Sequence, residues 1–256
     1  MINQEKLQLG VLVYWCCLSA LLVGCATAQN PITRQSEPIL IQDQEEVNIG
    51  RSVAQQIAQQ MKFINDPKWQ TYMQRTGYAI AKVSDRPKLP YHFHIVDDPN
   101  LNAFSIPGGG VYVHMGLIEI TNDDELACVL AHEIGHIATR HSIKHIQTEM
   151  GYRFLVDLAS AFGRVGQNAR QISTVAFQLI QRGFSREDEL EADILAIRYS
   201  YWAGYNPRAL VTVLKKMKEE ESREPSALEQ FLSTHPSLSE RIVHAREELR
   251  SLGRGE

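Results

Sequence analysis

Cysteine is scarce and poorly placed for cross-linking. Of four cysteines in 256 residues, Cys16, Cys17 and Cys25 fall within the first 25, which leaves Cys128 as the lone thiol of the remainder. A single thiol forms no intrachain disulfide, so stability there must come from the core and from any metal the chain binds. Charge of one sign is lacking too. The net charge is −4, with no arginine-rich run, basic patch or long acidic tail, which sets a nucleic-acid partner aside. Beyond the N-terminal stretch, no apolar run approaches the ~20 residues of a spanning helix. What is present, 44% hydrophobic and 22% charged residues, is ordinary globular composition. It allows one domain with a sizeable core or two small ones.

Residues 1–10 are polar with Glu5 beside Lys6, and Val11–Gly24 is almost unbroken apolar, closing on Leu22-Val23-Gly24-Cys25. The apolar run is about 14 residues, shorter than a membrane span of about 20, and it ends in small residues as a secretory signal does. Leu-x-Gly-Cys resembles the bacterial lipobox. That resemblance implies a signal peptide over 1–24, cleavage before Cys25, and lipid on the Cys25 thiol. The competing reading is an uncleaved anchor with an incidental cysteine. Ala26, rather than an aspartate after the lipid cysteine, points to the outer membrane, facing the periplasm. Residues 25–42, polar with two prolines, read as a lipidated tether.

From Asp43 the pattern turns helical, with Val47, Ile49, Val53, Ile57 and Met61 recurring at helical spacing. Asp66-Pro67 supplies an N-cap and an N1 proline for a helix to about Val83. Tyr91–Val96 alternates as a half-buried strand. Asn102–Ile106 and Val111–His114, joined by Pro107-Gly108-Gly109-Gly110, read as a hairpin. The glycines join two strands and lack a following helix with Lys-Ser/Thr, so they are a turn and not a phosphate loop. The rest reads as helix: one capped at Asn122 and running to about Met150, another over much of 152–180, then Ser185–Tyr201, 206–221 and 236–252. The expected class is α+β, mainly helical, with a small, mostly antiparallel sheet of three or four strands.

His132-Glu133-Ile134-Gly135-His136 lies within the helix capped at Asn122. Residues four apart share a helix face, so both imidazoles point the same way, as two legs of a tetrahedral zinc site. Glu133, about 100° round from His132, sits beside such a metal, where a carboxylate can take a proton from bound water. Two surface histidines are the bland alternative. Gly135 argues against it, because glycine inside a helix costs up to about 1 kcal/mol and would let a neighbouring strand approach. A third ligand must come from elsewhere. Glu189 and Asp193 again lie four apart, so one could bind metal while the other accepts a hydrogen bond from a ligand imidazole. Spacing alone leaves a solvated acidic face equally open there, and that face is the reading taken for Glu187, Asp188 and Glu191. His141 and His145 are out of phase with His132 on a straight helix. Cys128 reads as core packing.

HEIGH followed by SREDELEAD resembles the M48 family of gluzincin metallopeptidases, in its compact, exported bacterial lipoprotein branch. Asn102–Gly109 continuing to Gly116-Leu117, and Thr234-His235-Pro236 with Arg241, match two further elements in the family's order, so the resemblance covers roughly 43–250. It implies a zincin-like domain over 43–256 and one zinc ion held by His132, His136 and Glu189. Asp193 would stand behind a ligand, and Glu133 would act as the base. His235 would sit near the metal, as a latch on the water's position or as an oxyanion donor. An extended substrate would pair with the strand at Asn102, Ala103 and Phe104. Three functions follow: an endopeptidase acting on misfolded or misassembled envelope proteins, a chaperone-like or latent zinc protein with little turnover, and a structural lipoprotein. Cys25→Ser should abolish incorporation of labelled fatty acid and leave an uncleaved or soluble precursor; labelling that survives the change rejects the lipobox reading.

Overall fold

The computed structural model describes residues 27–160, 177–178 and 182–252. Its elements in chain order are strands β1 (Thr27–Gln29) and β2 (Ser36–Pro38), helices α1 (Asp43–Gln60) and α2 (Pro67–Val83), strands β3 (His92–Val96), β4 (Ala103–Ile106) and β5 (Gly110–His114), then helices α3 (Met115–Ile120), α4 (Asp123–Ala138), α5 (His141–Ser160), α6 (Arg186–Trp202), α7 (Ala209–Arg223), α8 (Pro225–Thr234) and α9 (Leu238–Leu252). Residues 1–24, Cys25 and most of the helix expected over 152–180 lie outside the described residues. Among the described residues no helix is long and apolar enough to cross a membrane.

The three-stranded sheet runs in the order β3-β5-β4. Phe93, Ile95, Ala103, Val111 and Val113 face one way and join α2, α4 and the C-terminal helices in the larger core. Phe104, Ile106 and Tyr112 face the other way and pack on Ile49, Val53 and Ile57 of α1 and on Ile143 and Ile146 of α5. The sheet is therefore covered on both faces, which explains why its strands carry so little polar alternation. The glycine turn does join an antiparallel β4–β5 hairpin. However, β3 pairs in parallel with β5, because the returning strand of the hairpin inserts between β3 and β4. The sheet is thus mixed, and the sequence pattern of the hairpin did not say which of its strands β3 would join.

The caps that start the helices are those legible in the sequence. Asp66 accepts from the Lys68 and Trp69 amides, and Asn122 and Ser185 each form a reciprocal capping box, with Glu125 and Asp188. The helix expected to run from Asn122 to Met150 instead stops at Ala138. The Thr139 amide and hydroxyl both bond the Gly135 carbonyl, and Arg140 takes a left-handed φ of 58° before α5 begins. Arg140 and Arg86 both pair with the buried Glu46 of α1, and Arg86 Nη1 also donates to the Ile137 carbonyl at 2.9 Å. These contacts tie the break to α1.

The polar segment read as a tether is folded over most of its length. Residues 27–38 form a β-hairpin, Ile39 and Ile41 are buried, Glu37 pairs with Lys144, and the Gln147 side chain accepts from the Leu40 amide. Asn30 is buried at the hairpin turn and accepts from the Ile32 and Thr33 amides. Composition alone concealed this packing, since the apolar contribution comes from a few isoleucines, Ile32, Ile39 and Ile41, scattered through a polar stretch.

Gly135 admits a close neighbour, but a helix and not a strand. A Cβ there would lie 3.1 Å from the Ala192 carbonyl oxygen and 3.3 Å from its Cα. The missing side chain is what lets α4 and α6 approach. Gly135→Ala should therefore lower thermal stability by about 1–2 kcal/mol despite alanine's better helix propensity, because a helix backbone cannot yield as a side chain can. Thermal unfolding of the metal-free protein measures it, and a rise in Tm would contradict this packing.

Candidate metal centre

The close approach of α4 and α6 brings the two motifs face to face. His132 and His136 project from one helix and Glu189 and Asp193 from the other, while His235, just past α8, closes the group from a third side. A ligand atom from each of His132, His136, Glu189 and His235 lies within 4.8 Å of all the others, and all four residues are buried. His132 Nε2 lies 3.0 Å from His136 Nε2 and 3.5 Å from Glu189 Oε2, and His136 Nε2 lies 3.3 Å from Glu189 Oε1. Bonds of about 2.0–2.2 Å to a tetrahedral zinc ion place ligand atoms about 3.3–3.6 Å apart; the two spacings to Glu189 fall in that range and the two imidazole nitrogens lie slightly closer.

The far side of each ring points to the same answer. His132 Nδ1 lies 2.9 Å from Asp193 Oδ1, an acceptor-only group, so the ring carries its proton there and turns the Nε2 lone pair into the cluster. Arg241 holds Asp193 through Nε at 2.8 Å and Nη2 at 2.7 Å, and its Nη1 lies 2.7 Å from Glu189 Oε2. His235 Nδ1 is 2.9 Å from Glu189 Oε1, and its Nε2 is 3.2 Å from the Ala103 carbonyl oxygen. Its ring stacks on Phe231. Glu133 Oε1 lies 3.7 Å from His235 Nε2, while the buried Glu133 Oε2 has no hydrogen-bond partner among the described residues.

The donor chemistry fits a divalent cation. Glu133, Glu189 and Asp193 are buried with Arg241, a formal charge of −2 with neutral imidazoles. Burial would raise the Glu189 pKa, but His235, Arg241 and His132 hold it well below the carboxylate range. Burial would likewise raise Asp193, and Arg241 outweighs it. Burial and Arg241 pull His132 down, yet Asp193 and Glu189 lift it to about 9. His136 is driven well below its ordinary value by burial, against the pull of Glu189. Cys128 stands apart: it is buried, its thiol is pushed up to about 12 by burial, and its sulfur faces the Asn206 carbonyl at 3.7 Å.

Strand β4 has its free edge toward this cluster. Asn102 bonds β5 through its carbonyl, and the register Ala103↔Val113, Phe104↔Tyr112 makes Asn102 and Phe104 the inward-bonded positions. Alternation then turns the backbone groups of Ala103 and Ser105 outward, as the His235–Ala103 contact confirms. Of the residues read from sequence, the structure thus gathers His132, Glu133, His136, Glu189, Asp193, His235 and Ala103. It transfers the outward positions of the strand to Ala103 and Ser105.

A profile described as Peptidase family M48 matches residues 67–249. The chain belongs to peptidase family M48. It is 28% identical over 211 residues to the beta-barrel assembly-enhancing protease of Escherichia coli (strain K12), covering 79% of this chain and 43% of that protein. It is 35% identical over 173 residues to the mitochondrial metalloendopeptidase OMA1 of Schizosaccharomyces pombe, 67% of this chain and 50% of that one. To the metalloprotease LoiP of Escherichia coli it is 31% identical over 167 residues, 64% and 65% of the two chains. The chain thus spans less than half the length of the first of these relatives.

Sequence reasoning missed several neighbours of the M48 centre. Arg241 was noticed only as part of a motif, and nothing in its spacing revealed that it clamps Asp193. Phe184 stacks on His136 with ring centroids 3.9 Å apart. Asp188, taken for a solvated acid, bonds His145 at 2.8 Å, and Glu191 approaches His141 at 3.2 Å.

These carboxylates give the metal-free protein a defined response to acid. Burial would raise Asp188, but His145 and His141 hold it well below its ordinary value, in the same direction as Glu189 and Asp193. A depressed folded pKa means the unfolded chain takes up protons first as pH falls, so stability present above the unfolded carboxylate values, about 4, is lost below them. Denaturant unfolding of zinc-free protein should show stability beginning to fall near pH 5 and dropping most steeply below about pH 4. A flat profile across that window would contradict the ion pairing described.

Proposed function

We propose that the chain is a zinc-dependent endopeptidase that hydrolyses misfolded or misassembled proteins of the bacterial envelope, held by lipid on Cys25 at the outer membrane and facing the periplasm. The observation that carries the reading is the unpartnered, buried carboxylate oxygen of Glu133 beside four convergent donors. Membership in M48, and the names of the beta-barrel assembly-enhancing protease and LoiP, support the substrate class. The anchor rests on the lipobox resemblance alone.

In this reading His132, His136 and Glu189 would hold the ion, with His235 as a further donor at rest. A zinc ion supplies Lewis acidity toward the scissile carbonyl and a lowered pKa for water, toward about 7. Glu133 takes the proton of the attacking water on its free oxygen and delivers it to the departing amine. Asp193, clamped by Arg241, keeps His132 in the tautomer that faces the ion. The outward amides and carbonyls of Ala103 and Ser105 pair with an extended substrate, so recognition is mainly of backbone. His235 occupies the Ala103 carbonyl as well as the cluster. Its departure would therefore open both the metal and the substrate edge.

That closed geometry also favours a second reading, a latent or chaperone-like zinc protein with little turnover. Chelator-sensitive hydrolysis of an unfolded protein such as casein separates the two. Glu133→Gln should abolish hydrolysis with near-stoichiometric zinc retained, since a proton acceptor is lost and no ligand is; cleavage by a zinc-loaded Glu133→Gln protein would sink the mechanism. His235→Ala, compared at matched zinc content, should raise basal cleavage if the imidazole is a latch. A fall of about 10²–10³ would instead assign it to the oxyanion and remove the latch.

A further inference from the structure

The break between α4 and α5 has a consequence for the metal centre. On a continuous helix His141 would point about 140° away from His136, five residues earlier, and the two rings could not touch. Arg140, in a left-handed conformation that disfavours non-glycine residues, turns the chain so that His141 Nδ1 lies 2.8 Å from His136 Nδ1. His141 is buried. Its other nitrogen, Nε2, lies 3.2 Å from Glu191 Oε2 and 3.3 Å from Asp188 Oδ1.

Two nitrogens at hydrogen-bond distance need one proton between them. If His141 donated it, His136 would carry its own proton on Nε2, aimed at His132 Nε2 and Glu189 Oε1, and would have no lone pair for an ion. A neutral His141 in that tautomer would also turn the Nε2 lone pair toward two carboxylates. The opposite assignment satisfies every group: His136 donates from Nδ1, and His141 donates from Nε2 to Glu191 and Asp188. We propose that His141 is a positioning residue of the metal centre. Its Nδ1 accepts from His136 and fixes the tautomer whose Nε2 faces the ion, and Glu191 and Asp188 hold His141 in the complementary tautomer. The centre is then braced on both sides by different chemistry, with the Asp193–Arg241 pair behind His132 and an imidazole backed by two carboxylates behind His136. The inference rests on the reading of His136 as a metal ligand.

The test is zinc affinity of the full chain, measured by competition with a chromophoric chelator, for the parent, His141→Leu, His141→Asn and His136→Ala. His141→Leu should weaken zinc binding by about 10–100-fold, the usual loss when a group behind a ligand is removed. His141→Asn, whose Oδ1 falls near the place of Nδ1 and can accept, should stay within about fivefold of the parent. Equal losses in both variants would reduce His141 to packing and overturn the proposal. Full affinity in His141→Leu with affinity lost in His136→Ala would overturn it while leaving the metal reading intact, and unchanged affinity in His136→Ala would remove the metal reading itself. If His141→Leu does not fold, nitrogen-15 spectra of the zinc-loaded parent decide independently. His136 protonated on Nδ1 and His141 protonated only on Nε2 is the expected pattern; His141 protonated on Nδ1 overturns the proposal.

Discussion

Buried negative charge is the constraint on which the rest of the structure depends. Glu133, Glu189 and Asp193 are withdrawn from water together, and among the described residues Arg241 is the one guanidinium buried with them. Ionised groups in such surroundings are tolerated only when paired and hydrogen-bonded, and their desolvation can exceed the attraction of a single partner. A divalent cation would balance what Arg241 leaves over. The helices are arranged to meet that requirement: Gly135 lets α6 approach α4, the capping box at Ser185 starts α6 at the height that sets Glu189 opposite His132 and His136, and α9 delivers Arg241 from the C-terminal end.

The sheet serves the same centre from the other side. Its edge strand β4 aims the Ala103 carbonyl at His235, which also touches Glu189 and lies near Glu133. One imidazole therefore links the candidate metal donors, the proposed base Glu133 and the backbone edge proposed for an extended chain. In the proposed reading the ligand site and the substrate edge are closed together, and opening them would need movement of the segment around His235, where Ser237 holds a positive φ of 68°.

Much of this was legible in the sequence wherever a local rule acts within one element. The Asp66-Pro67 start, the Asn122 and Ser185 caps, the four-residue spacing of each motif and the glycine hairpin are such rules, and each of these starts and turns formed as read. The partnership of HEIGH with Glu189 was not derivable from spacing and came from family resemblance. Long-range choices were invisible: which hairpin strand β3 joins, how residues 27–42 pack, and that Arg241 reaches Asp193. The break at Arg140 was missed because neither Thr139 nor Arg140 is a helix breaker by type. Its cause is tertiary, in the pairing of Arg140 and Arg86 with Glu46. That one miss hid His141, which a straight helix would have carried away from the metal donors.

The central claim, that His132, His136, Glu189 and His235 together enclose one zinc ion in the resting protein, is tested most directly by zinc K-edge X-ray absorption. The account predicts a four-coordinate shell of nitrogen and oxygen at about 2.0–2.2 Å, with outer-shell scattering from three imidazoles that falls to two in His235→Ala. A sulfur shell at about 2.3 Å, or an imidazole count that does not change in that variant, would contradict it.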